Sequence, residues 1–71
     1  MNLEPKEFWR MLENATWVVW DETFRYCLVG LPGEGYRLYR YERNPQRASL
    51  LADGEEAARI ARAMGVEDVA A

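Results

Sequence analysis

Trp17-Val18-Val19-Trp20 is the segment that most limits what this chain can become. Its β-branched and aromatic residues favour an extended strand, and a strand turns alternate side chains to opposite faces. Trp17 and Val19 therefore share one face while Val18 and Trp20 share the other, and both faces are apolar. The runs around 24–30 and 36–43 also carry apolar residues on both sides. A sheet covered by helices on one face only shows polar residues on the other. Two outcomes remain. Each helix covers a different face, or one aromatic face awaits a partner.

The rest of the chain supplies the helices and turns. Pro5 suits a first helical turn, Leu3 and Phe8 stand where a hydrophobic staple would close if Glu4 caps, and Asn14 marks the stop. Phe8, Leu12 and Ala15 then form one stripe, flanked by Trp9 and Met11. Strands are predicted over about 16–20, 24–30 and 36–43, joined by Asp21-Glu22-Thr23 and by a Pro32-Gly33 type II turn. Residues 48–52 add a short fourth edge strand or serve as an extended lead. A second helix is predicted over about 54–64, capped by Asp53 with Glu56 three residues on. Gly65 ends it in a left-handed conformation, with Val66 closing over Ala61. The tail, 67–71, is expected to fray. The predicted class is α+β: one domain over 1–71, an N-terminal helix, a three- to four-stranded antiparallel meander, and a C-terminal helix packed on the sheet.

At 71 residues the chain is near the lower limit for folding without disulfides or metal, and dimerisation would relieve its small core. Cys27 is the single cysteine, which predicts a reducing, cytoplasmic setting. No signal peptide is visible, and no apolar run is long enough to cross a bilayer, so no membrane partner is expected. The net charge of −3 is uneven. Residues 25–47 hold five arginines against Glu34 and Glu42, whereas the segments on either side are each acidic.

Catalysis finds little support. Histidine is absent, Cys27 lies among apolar residues without a base, and the carboxylates are scattered as sequence neighbours. No residue set has metal-ligand spacing, and Gly33-Glu34-Gly35 lacks the further glycine and lysine of a phosphate loop. Neither a catalytic residue, a metal nor a cofactor is expected.

The feature that bears on binding is Tyr36-Arg37-Leu38-Tyr39-Arg40-Tyr41-Glu42-Arg43. At period two, Arg37, Tyr39, Tyr41 and Arg43 share a face, and tyrosine and arginine dominate binding hot spots. With Arg25 and Trp20 from neighbouring strands they form the predicted partner-binding patch. The expected function is a non-enzymatic module that binds a protein stoichiometrically, as an inhibitor, adaptor or regulator of an intracellular complex. Small phage and mobile-element proteins act in this way. The alternative is nucleic-acid binding by the Arg/Tyr-rich sheet. Over roughly residues 16–65, three strands followed by a helix are similar in order to the DNA-reading domains of plant AP2 factors and of some integrase arms. That resemblance implies a sheet face left open to DNA. A contrary reading places Tyr39 and Tyr41 under a helix, as core rings. Monomer and homodimer are both compatible with the sequence.

Overall fold

The computed structural model describes residues 2–66, so the predicted tail at 67–71 lies outside the described residues. The elements run β1 (Asn2–Leu3), α1 (Pro5–Asn14), β2 (Trp17–Trp20), β3 (Tyr26–Leu31), β4 (Gly35–Arg43), β5 (Gln46–Asp53) and α2 (Gly54–Ala63). One antiparallel sheet holds all five strands in the order β1-β5-β4-β3-β2. This is the expected α+β meander with two differences. The fourth strand is eight residues long and interior, because Asn2 and Leu3 pair outside it with Ser49 and Ala48. The strand predicted over 24–30 is β3, which starts at Tyr26, and Phe24 belongs to the preceding loop.

The ambiguity of the two apolar faces is resolved by the helices, which pack on opposite sides of the sheet. Phe8, Met11, Leu12 and Ala15 of the α1 segment meet Val18, Trp20, Cys27, Val29, Tyr39, Tyr41, Ala48 and Leu50. Ala57, Ile60 and Ala61 of α2, with Val66 beyond it, meet Val19, Tyr26, Leu28, Leu38 and Ala52. Each cluster removes apolar area from water, at about 25 cal/mol per Å². Ala52 joins the α2 side, although Ala48 and Leu50 face α1, through a bulge. Tyr39 pairs with Leu50 and Leu38 with Ala52, so Leu51 has no opposite residue and stays exposed. The extra residue reverses the parity of β5.

Local signals explain most helix ends. Leu3 packs on the same cluster as Phe8, completing the staple, and Glu7 Oε1 accepts from the Glu4 N–H at 3.4 Å. At the end of α2, Gly65 takes φ +82°, the Val66 N–H donates to the Ala61 carbonyl at 2.7 Å, and the Gly65 N–H to that of Arg62 at 3.1 Å. That is the predicted Schellman ending. The predicted Asp53 cap is corrected: its side chain makes no capping hydrogen bond. Asp53 is still the last residue of β5, opposite Arg37, and the chain turns into the helix at Gly54, whose φ is +64°. Among the described residues no helix is long and apolar enough to cross a membrane.

Candidate functional site

The six predicted contact residues do not form one patch. Tyr39 and Tyr41 are 2% and 8% exposed, because their face of β4 is the one α1 covers. The Phe8 ring stacks on Tyr41 at 5.4 Å and meets Tyr39 edge-on at 5.7 Å. Both tyrosines are core residues, and their assignment as contact residues is corrected on that ground. Arg37 sits toward the other end of β4, where its guanidinium pairs with Glu34 Oε1 at 3.1 Å. The Tyr39 side chain raises the Arg37 pKa most, slight burial opposes it, and Glu34 and Asp53 add to the rise. Arg37 is thus a partnered structural cation beside the β3–β4 turn.

Trp20, Arg25 and Arg43 do come together, at the opposite end of the sheet. What joins them is the loop between β2 and β3. Asp21 Oδ1 accepts from the backbone N–H groups of Arg25 and Tyr26 at 2.8 and 2.9 Å, and Oδ2 accepts from the Thr23 hydroxyl. The Phe24 N–H donates to the Asp21 carbonyl at 3.1 Å. Slight burial pushes the Asp21 pKa up, but the Thr23 hydroxyl and the backbone N–H groups of Tyr26, Arg25 and Thr23 outweigh it and hold the carboxyl below its ordinary value. This knot fixes Phe24 at φ +57°, a left-handed backbone that a bulky residue rarely adopts. The Phe24 ring is 51% exposed.

Phe24 is the outermost member of a continuous ring array. Its centroid lies 5.8 Å from Trp20, which lies 6.4 Å from Trp9 and 5.8 Å from Tyr41. Trp9 is 43% exposed, so three large rings reach solvent beside a buried pair. Trp9, Trp20, Phe24, Tyr41, Arg43 and Gln46 line a cleft of about 400 Å³. A second cleft, of about 410 Å³, shares Phe24, Tyr41 and Arg43 with the first and adds Arg25, Arg40 and Glu42. The Tyr41 N–H donates to the Arg25 carbonyl at 2.7 Å, which ties the loop to β4. Among the described residues no carboxylate is within salt-bridge distance of Arg25, Arg40 or Arg43. The result is a surface of rings bordered by cations. It can bury apolar area and attract negative charge at once.

Trp9, Phe24 and Arg40 escaped the sequence reading for identifiable reasons. Trp9 stood beside the helical stripe and Phe24 fitted a strand alternation, while Arg40 faces away from the tyrosines along β4. The hint available was Asp21, two residues before Thr23, in a pattern that ties a loop to its own backbone.

Cys27 is fully buried, and burial pushes its thiol up to about 12, so the thiol is not a nucleophile near neutral pH. Among the described residues no group of His, Cys, Asp and Glu could hold a metal ion. No family model, no curated protein and no solved structure matches the chain.

Proposed function

We propose that this protein is a non-catalytic binding module that holds a protein partner on its basic, aromatic end and acts stoichiometrically, as an inhibitor, adaptor or regulator. The observation that carries the reading is Phe24, held exposed on a left-handed backbone by the Asp21 knot, beside Trp9 and Trp20. A chain gains no folding stability from turning a phenylalanine to solvent in a strained conformation, so the arrangement fits an anchor meant for another molecule. Among the described residues Arg25, Arg40 and Arg43 border the anchor without a salt bridge and outnumber Glu42, which lines the same cleft, and this favours a partner surface combining an apolar side chain with carboxylates. The reading belongs in the cytosol, where a single buried thiol stays reduced.

The test compares wild type with Phe24→Ser and Arg43→Glu, each immobilised and exposed to nuclease-treated lysate. A protein retained by wild type and lost, at least tenfold, from both variants supports the site. Equal retention by the variants overturns it.

A second reading follows from the same rings. Arginines beside exposed aromatics also suit single-stranded nucleic acid. The sheet faces are covered by α1 and α2, so any such contact moves from the sheet face to this end. Tryptophan fluorescence during titration with an unstructured oligonucleotide separates the two. Quenching that weakens steeply with salt supports nucleic acid, and no change at low salt removes it.

A further inference from the structure

Among the described residues the sheet has one uncovered backbone edge, four residues in length. β1 closes one side with two residues, whereas β2 is the outermost strand on the other. Natural edge strands are blunted by charge, proline, a bulge or a covering element. Trp17-Val18-Val19-Trp20 has no charge and no proline, and its register with β3 is unbroken. The helices pack on the two faces of the sheet, where α1 reaches β2 through Phe8 against Trp20, its cluster takes in Val18, and the α2 cluster takes in Val19. Both tryptophans fold inward over the sheet. Trp17 lies across Gly30, where an added Cβ would come within 2.5 Å of the indole, and Trp20 packs 6.2 Å from Phe8.

The backbone of this edge is oriented for pairing. The Asp21 N–H donates to the Tyr26 carbonyl at 3.1 Å. By the alternation of an antiparallel ladder, Val19 then bonds toward β3, and Val18 and Trp20 direct their N–H and C=O groups outward.

We propose that β2 pairs antiparallel with β2 of a second copy of this chain, extending two five-stranded sheets into one across a two-fold axis. The choice of occupant rests on self-complementarity. A two-fold axis perpendicular to the sheet keeps like faces together, so each residue must meet one that faces the same way. With Val18 on the axis, Val18 meets Val18 and Trp17 meets Val19, while Trp20 lies opposite Thr16, whose N–H is already given to the Gly30 carbonyl at 2.8 Å and whose carbonyl is left to accept. Every one of these pairs is neutral, so none sets a charge against a charge. The nearest alternative centres on Val19 and sets Trp17 against Asp21, whose carboxylate is already engaged by its own loop. Self-pairing in the Val18 register therefore covers an apolar edge without burying a charge. It also has a consequence for binding. The Phe24 loop follows the C-terminal end of β2, so the two loops of an antiparallel pair lie at opposite ends, and the dimer carries two separated sites.

Sedimentation of the purified full chain over a concentration series reads the mass directly, with no partner present. The expected result is a concentration-dependent shift from 8.3 kDa to twice that mass, weakened at least tenfold by Val18→Pro. Proline there removes an outward N–H and no bond to β3. Hydrogen exchange on wild type provides a check that needs no variant: the amides of Val18 and Trp20 slow as concentration rises. A monomer at every concentration overturns the proposal. So does a dimer in which those two amides exchange at an unchanged rate. Phe24→Ser leaves the association unchanged, which keeps this test separate from the binding site.

Discussion

Under α1 the sheet meets a layer of rings, and under α2 it meets alanines. Phe8 contacts Tyr39, Tyr41 and Trp20, whose rings stand well above the strands. On the other face Ala57 and Ala61, both fully buried, let α2 settle directly over Leu28 and Leu38. The difference has a functional side. A ring layer is wider than the single helix that covers it, so its margin emerges at Trp9, Trp20 and Phe24. The alanine face leaves a groove of about 350 Å³ beside Trp17 and Tyr36. The candidate binding surface is the outer margin of the aromatic core, which makes it rigid without a separate scaffold.

Phe8→Ala is the hardest test of that contrast. Removing the central ring should cost about 3–5 kcal/mol, read as a large fall in melting temperature. A loss below about 2 kcal/mol would mean that the remaining rings close the gap, and that α1 does not depend on this layer. Ala61→Leu attacks the other face by overfilling it, and should cost about 1–3 kcal/mol. An unchanged melting curve would show that α2 can ride higher on the sheet.

Asp21→Asn probes the link between core and surface. Losing the ionised acceptor should cost about 1 kcal/mol, modest because the loop is wet. The pH dependence has a definite sign. The folded pKa lies below the ordinary 3.8, so the stabilisation is complete above that value and is lost as pH falls through the lower folded value. Thermal melts across that acidic window should therefore fall more steeply for wild type than for Asp21→Asn. Parallel curves would show that the knot contributes nothing.

Asp53→Ala should change stability by less than about 0.5 kcal/mol, since its side chain caps nothing. A larger loss in urea unfolding would point to a role through its neighbour Arg37. Phe24→Ser should alter the melt least of all, within about 0.5 kcal/mol or slightly upward, while removing partner binding. Equal losses of stability and binding would make Phe24 part of the core and dissolve the contrast.

The features legible in the sequence are those made by residues a few positions apart. Leu3 with Phe8, Pro5 at the helix start and Gly65 with Val66 over Ala61 all appear as read. So does the Pro32-Gly33 turn, where Gly33 takes φ +72° and the Glu34 N–H meets the Leu31 carbonyl at 3.2 Å. Of the six residues the sequence groups together, Trp20, Arg25 and Arg43 lie at one end of the sheet, whereas Arg37 pairs with Glu34 at the other and Tyr39 and Tyr41 are buried in the core. Period two correctly put Tyr39 and Tyr41 on one side of β4, but periodicity cannot say which side a helix will cover.

By itself, then, the sequence determined the two helices, three of the five strands, their turns and the demand that both sheet faces be covered, because these follow from short-range sterics and from the count of apolar residues on each face. The tertiary structure alone decided the rest. It paired Asn2 with Ser49 across most of the chain, inserted Leu51 as a bulge, and placed α1 over the tyrosines. It also drew Phe24 out of its strand, because Asp21 offered the backbone N–H groups of Arg25 and Tyr26 a carboxylate oxygen in place of a continued ladder. Those outcomes are competitions between distant partners for the same backbone and the same buried area, and no local pattern states who wins them.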